Sequence, residues 1–406
     1  NQDGIDDFIL TSYGELPFGA AYVLFGSSTL TSAALDLAGF VPSAERGFKV
    51  IGSTTYPINL FADGGSDLNG DGIPDVVISC PLADGLNRTD AGAVIVLFGR
   101  SSAAGVSNID LSTFVSGPLG YRILGSDAGL RLGLRLAIIG DYNQDGRNDL
   151  ALVSYVYTEP IITNCVHIIY SPISSTYSDI DLANVRLGID GMRYCTAPMA
   201  NQGAFFITTA GDVNGDGRPD VLVGALRAST LGRNRNGAAY VLFGRTYHNQ
   251  SEGVIDINAL PAGYGMRIHG AASYDIFARG VAPAGDFNGD GVGDLIITAQ
   301  NASVPGRRNN GRTYIVYGSR SWSSETDLDL STLVSGPSTG FQIYGAAATD
   351  LFGYSAALIG DIDGDGLSEI MLGSFYADSP TAVDSGAAYV MFGQQWRQVP
   401  TPTALP

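Results

Sequence analysis

Lysine is almost missing from this sequence: Lys49 stands alone, and 22 basic residues face 40 acidic ones. A formal net charge of −18 with so few cations excludes a protein that grips nucleic acid through its phosphates, which needs clustered positive charge. Histidine is scarce too, limited to His167, His248 and His269, and none stands in a Ser or Asp arrangement of the nucleophilic kind. His269, in "MRIHG", reads as a packed or edge residue of a strand. No apolar run approaches the roughly 18 residues of a membrane-spanning helix, so no direct membrane insertion is expected. Only three cysteines occur, an odd number that leaves one over from any internal pairing.

Aspartate at fixed spacing is what the chain has instead. "GDFNGDGVGDLIIT" (285–298) puts Asp286, Asn288, Asp290 and Asp294 at positions 1, 3, 5 and 9 of one short loop. Alternate residues of a tight turn aim their oxygens at one centre, with a glycine after position 5 where the backbone must turn sharply. A hard cation taking six to eight oxygens suits this set, and the backbone carbonyl of position 7 would complete it, which points to Ca2+. Without the ion, three neighbouring carboxylates would repel one another and their pKa values would rise.

The pattern repeats. Asp67, Asn69, Asp71, Ile73 and Asp75 form one copy, and Asp141, Asn143, Asp145, Arg147 and Asp149 form the next. Asp212, Asn214, Asp216, Arg218 and Asp220 follow, then the quoted loop with Val292 at position 7, then Asp361, Asp363, Asp365, Leu367 and Glu369. Successive first aspartates lie 74, 71, 74 and 75 residues apart. The opening "NQDGIDD" places Asn1, Asp3 and Asp7 at positions 3, 5 and 9, so the chain starts inside a sixth copy. Five complete loops and one partial loop at a single period indicate a repeat architecture.

Helical EF-hands also use acidic loops, but they need a bidentate Glu at position 12. Here that position holds Ile78, Leu152, Val223, Ile297 or Leu372, inside short β-branched runs such as "DVVIS" and "DLIIT" that read as buried strands. A second apolar segment follows each loop, as in "GAAYVLFG" (19–26 and 237–244), "GAVIVLFG" (92–99), "GRTYIVYG" (311–318) and "GAAYVMFG" (386–393). A third reads "RGFKVIG", "LGYRILG", "GYGMRIHG" or "TGFQIYG", often near an Asp-Leu phrase such as "IDLSTF", and a fourth precedes the next loop. Four strands per period give an all-β propeller of four-stranded blades.

These residues resemble the FG-GAP repeats of the integrin α-subunit β-propeller over residues 1–393. Phe352-Gly353 is the literal FG, with drifted forms at Phe61-Ala62, Leu132-Gly133 and Phe277-Ala278. The resemblance implies calcium loops between the first and second strands of each blade, on the face opposite the ligand loops. It also implies a ring of six or seven blades, seven being favoured, closed by residues outside the chain. "QQWRQVPTPTALP" would then be a Pro/Thr-rich tail or linker over 394–406. No inserted ligand-binding domain is visible.

Charge supports the metal reading. The five complete loops hold sixteen carboxylates, and five divalent ions would bring the chain from −18 to −8. Sequons at Asn87, Asn249 and Asn301 fit an extracellular glycoprotein as well as they fit chance. Cys165 and Cys195 fall in neighbouring strands of one blade, so either a disulfide joins them or all three cysteines are buried thiols. On the face that the resemblance assigns to ligands, "LGRNRNG" offers Arg233 and Arg235, "PGRRNNG" offers Arg307 and Arg308, and Tyr274 lies near. They could meet a carboxylate or sulfated glycan by forked hydrogen bonds, or be solvated loop residues. The irregular stretch around Tyr155, Tyr157 and Tyr170 is either a partner surface or a decayed repeat. The function expected is a calcium-binding extracellular module for adhesion or protein/glycan recognition. A structural unit of a surface or filamentous assembly is one alternative, and a propeller polysaccharide lyase is the other.

Overall fold

A computed structural model describes residues 3–393 apart from 16, 28–36, 38, 101–105, 159–160, 173–175, 197–204 and 247–251, with the backbone alone for 157–158 and 161–162. Asn1, Asn249, His248 and the tail at 394–406 lie outside the described residues.

Six sheets, antiparallel in their main strands, follow one another along the chain. The second runs Ala62–Ser66, Asp75–Cys80, Ala93–Leu97, Gly120–Leu124, and the third runs Arg135–Gly140, Asp149–Thr158, Ile161–Ile169, Gly191–Cys195. The fourth and fifth repeat this order from Phe205–Gly211 to Gly265–His269 and from Phe277–Gly285 to Gly340–Tyr344. The first begins at Phe8–Ser12, a second strand by this count, and the sixth comprises Phe352–Gly360, Glu369–Ser374 and Ala387–Met391. The second and third strands fall on the apolar segments read from the sequence, whereas Ala62–Ser66, "ADGGS", is a strand without an apolar run.

Adjacent residues of one strand explain why the sheets stack. Ile297 packs with the fourth sheet's Leu222 and Val241, whereas its neighbour Ile296 packs with the sixth sheet's Ile370 and Leu372. The second and third sheets behave alike, since Ile78 faces Val23 while Val77 faces Ile138. A strand buried on both faces must be apolar at every position, which is why "DVVIS" and "DLIIT" show no alternation. Stacking in chain order brings the strands Ala62–Ser66, Arg135–Gly140, Phe205–Gly211, Phe277–Gly285 and Phe352–Gly360 side by side as the innermost strands of a propeller.

Four strands per sheet proves an undercount. The Asp-Leu phrases form short parallel strands on the outer edge of the sheet before them: Ile109–Asp110 on the first, Ile180–Asp181 on the second, Ile255–Asp256 on the third and Asp327–Asp329 on the fourth. In the last three the aspartate then caps a 3-10 turn, with Asp181, Asp256 and Asp329 accepting from the backbone N–H two residues on. Each phrase therefore stitches a repeat to its predecessor. Strands of two or three residues carry no periodicity, so composition alone could not reveal them.

Cys165 and Cys195 are direct partners across two strands of the third sheet and form a disulfide, with Cα atoms 4.1 Å apart. Cys80 is buried and free. The irregular stretch is a long hairpin, Asp149–Thr158 with Ile161–Ile169. Tyr170 is buried in the core and Tyr155 half-buried, so for these two the partner-surface alternative, which needs exposed rings, does not hold; the Tyr157 side chain lies outside the described residues.

Candidate metal centres

In every complete copy the acidic loop joins the first strand of a sheet to the second, as the resemblance implied. The position-1 aspartate closes the turn: Asp286 accepts from Asp290 N and Gly291 N at 2.9 Å each, Asp141 from Asp145 N and Gly146 N, and Asp212 from Asp216 N and Gly217 N. Asp67 and Asp361 do the same through Gly72 N and Gly366 N. This closure needs positive φ at position 6, and Gly72, Gly146, Gly217, Gly291 and Gly366 all have φ between 80° and 92°. The asparagine at position 3 accepts from the N–H of position 5, as Asn288 does from Asp290 at 2.9 Å. Position 5 accepts from the N–H of position 7, so Asp71, Asp145, Asp216, Asp290 and Asp365 hold Ile73, Arg147, Arg218, Val292 and Leu367 in register.

Position 9 is the pivot. Asp75, Asp149, Asp220, Asp294 and Glu369 open the second strand and are fully buried. One oxygen accepts from the loop and the other from the end of the third strand: Asp294 takes Phe287 N at 3.0 Å and Gly318 N at 3.0 Å, and Asp75 takes Leu68 N at 2.7 Å and Gly99 N at 2.8 Å. In the partial copy Asp7 accepts from Gly26 N and Asp3 from Ile5 N, the same pairings. Burial pushes the Asp75 carboxyl up to about 6, helped by Asp67 and Asp71. Burial likewise raises Asp149 and Asp294 to about 8 and Asp220 well above its ordinary value, with the other loop aspartates adding repulsion. Among the described residues no basic side chain pairs with any of these five carboxylates. Buried, unneutralised carboxylates beside further acid oxygens are the environment that a hard cation relieves. In the last loop, carboxylate oxygens of Asp361, Asp363 and Glu369 lie within 4.8 Å of one another.

Position 12 is fully buried in a strand in every copy, which leaves the helical EF-hand geometry no place. The loops also touch each other. Arg147 reaches Asn69 O of the previous loop, Asn148 Nδ2 donates to Asp67 O at 2.9 Å, and Gly293 N donates to Asp212 O at 2.8 Å. Sequence reading nominated Arg147 for its carbonyl alone and missed the role of its side chain.

The nominated ligand residues separate into two kinds. Arg233 pairs with Asp329 at 2.8 Å and donates to Ala271 O, and Arg307 donates to Gly345 O and Ala346 O. Arg88 occupies the matching loop of the second sheet and makes a forked pair with Asp181 plus a bond to Gly125 O. Three copies with one job mark these arginines as ties within the scaffold, and "LNRTD" around Arg88 was the overlooked signal. Arg235, Arg308 and Tyr274 remain exposed; Tyr274 N donates to Asn234 O and Thr349 N to Arg308 O. Asn87 is exposed in a 3-10 turn and Asn301 is half-buried. His269 is buried with Nε2 2.7 Å from Asp327. Ser154 Oγ and His167 Nε2 lie 2.8 Å apart, a pairing that sequence reading did not find, but both residues are sealed in the core.

Comparison with known proteins agrees with this geometry. The FG-GAP repeat family matches residues 62–97, 204–242 and 277–316. Phosphatidylinositol-glycan-specific phospholipase D of Bos taurus is 36% identical over 114 residues, which is 28% of this chain and 13% of that protein. Integrin alpha pat-2 of Caenorhabditis elegans is 25% identical over 185 residues, 45% of this chain and 14% of that protein. Integrin alpha-PS5 of Drosophila melanogaster is 37% identical over 86 residues, 21% of this chain and 7% of that protein. The chain thus spans a small part of each relative's length.

Proposed function

We propose that this chain of FG-GAP repeats is a calcium-stabilised extracellular recognition module, a propeller domain over 1–393 that binds a protein or glycan in adhesion or assembly. The observation that carries the reading is the repeated position-9 carboxylate. It is buried, pairs with no basic side chain among the described residues, is hydrogen-bonded on both oxygens, and lies near enough to the loop's other aspartates for their charge to oppose its ionisation. Positions 1, 3, 5 and 9 would hold the ion by side-chain oxygens and position 7 by its carbonyl. Bound calcium would neutralise the loop and lock first, second and third strands together. The disulfide supports an oxidising compartment. Among the described residues no helix is long and apolar enough to cross a membrane. We read the module as non-enzymatic: the Ser154 and His167 pair is inaccessible, and the acid groups are spread over repeats instead of converging on one centre.

Calorimetric titration of chelator-stripped protein with Ca2+ tests the metal assignment, and glycan-array and pull-down binding with and without chelator tests recognition. The reading expects several calcium equivalents per chain and partner binding that chelator abolishes. A chain that takes up no calcium would overturn it.

A further inference from the structure

On the face opposite the acidic loops, the ends of the innermost strands carry a row in which rings and guanidinium groups alternate. Phe61, Arg135, Phe206, Arg279 and Tyr354 come from five successive sheets. The Arg135 guanidinium lies 3.8 Å from the Phe61 ring centre and 5.0 Å from Phe206. That of Arg279 lies 5.8 Å from Phe206 and 4.5 Å from Tyr354, which stacks on Phe375 at 4.7 Å. The strand direction fixes the face, because Arg135 opens the strand that ends at the Asp141 loop and Arg279 lies near the start of the strand that ends at Asp286.

Among the described residues seven arginines are ion-paired with carboxylates, but Arg135 and Arg279 are not. Arg135 donates to Leu134 O at 2.8 Å, and Arg279 Nε donates to Gln300 Oε1 at 3.0 Å, so donors remain on both forks. Burial and the charge of Arg279 both disfavour the charged form of Arg135. Arg135 also lines a cavity of about 250 Å³ with Arg131, Tyr155, Asn164 and Phe205, and Arg131 has no carboxylate partner among the described residues. Two guanidinium groups lining one cavity favour a planar anion, above all a carboxylate received on a fork. The volume falls below the roughly 300–1,000 Å³ of sites for free small molecules, so it suits one side chain of a larger body. Exposed Leu60, Phe375 and Tyr376, contiguous with the row, supply the apolar surround that a protein anchor needs.

We propose that this face docks a protein partner by seating an Asp or Glu side chain of that partner on Arg135 and Arg131, with Arg279 reinforcing the positive field. The inference rests on the recognition reading above and names its chemistry.

Fluorescence anisotropy of a labelled poly-L-glutamate peptide on the calcium-loaded protein tests it, with oligogalacturonate and poly-L-lysine in parallel. The peptide should bind, weaken with added salt, and lose about tenfold or more in affinity in Arg135→Met, the scale of a charge-assisted hydrogen bond. Methionine keeps an apolar side chain between Phe61 and Phe206, and Arg131→Met gives the same readout from outside the ring row. Arg186→Met, at an arginine paired with Asp190, should leave binding unchanged. Absence of peptide binding, binding indifferent to both the Arg135 and Arg131 changes, or preference for oligogalacturonate overturns the proposal. Calcium-dependent melting reads the scaffold separately: a normal calcium shift with no peptide binding sinks this inference alone, whereas no calcium shift sinks the module reading beneath it.

Discussion

A single buried carboxylate per repeat decides how the molecule responds to pH. Asp75, Asp149 and Asp294 have folded-state values near 6, 8 and 8 against an ordinary 3.8, because burial penalises the charge. For a carboxyl raised on folding, the stability that its proton provides is present below the unfolded value and is lost as pH rises through the folded one. His167 acts oppositely: buried and held neutral, it falls to about 3, so folding loses stability as pH drops from 6.5 towards 3. Three carboxyl groups outweigh one imidazole, and the calcium-free protein should melt at a higher temperature at pH 5 than at pH 8. Calcium keeps the loops ionised, so the loaded protein should show the reverse order. Scanning calorimetry in chelator and in calcium checks both signs, and a calcium-free melting point that drops on acidification would refute the assignment. Asp294→Asn, which puts an amide where three backbone N–H groups need an acceptor, should cost about 2–4 kcal/mol and remove one calcium equivalent, measured by denaturant unfolding and calorimetry. The positions of these residues were readable from spacing alone. Their burial was not, because it depends on the third strand returning to supply Gly99 N or Gly318 N.

At the level of strands and loops, the sequence shows wherever an apolar run exists and falls quiet where a contact joins two repeats. The glycine that opens "GAAYVLFG" and "GRTYIVYG" illustrates the difference. Its recurrence was plain, yet the cause is an approach to the next sheet: a Cβ on Gly237 would come within 2.1 Å of Phe277 O, and one on Gly311 within 2.1 Å of Phe352 O. This also explains the name-giving Phe-Gly of the following strand, whose backbone lies against that glycine. Gly311→Ala, at φ +84°, therefore combines a clash with backbone strain and should cost about 2–4 kcal/mol in urea unfolding. A substitution that leaves stability within error would show that the sheets slide apart freely. The Arg88 tie to Asp181 is solvated, and Arg88→Ala should cost much less than Gly311→Ala by the same measurement. Arg233 and Arg307 looked like ligand residues in the sequence because a forked donor in a loop is the same text whether its acceptor is a partner or the chain's own carbonyl.

Across the whole molecule, six sheets share faces, and their acidic loops share bonds, so the proposed metal sites should not be independent. Arg147 belongs to the second loop of the complete series, but its guanidinium ends on Asn69 O of the first, where Asn148 also holds Asp67 O. Asn69 and Asp67 are candidate ligands, and the carbonyls held are their own, so an ordered Asp141 loop presents the Asp67 loop in its closed form. Filling one site should lower the ordering cost of the next, a coupling carried by conformational entropy. Arg147→Met removes no ligand oxygen from either loop. It should nevertheless weaken the calcium affinity of the Asp67 loop, and a double-mutant cycle with Asp145→Asn should give an interaction energy of about 0.5–3 kcal/mol, the range for residues in one network. Calorimetric titration of the four proteins measures it. Strict additivity would mean that each loop binds alone and that the stacked sheets are held by their hydrophobic faces without help from the metals. Non-additivity would make the loops a single calcium-dependent clamp, with the opposite face kept rigid enough to hold Arg135 and Arg279 between their rings.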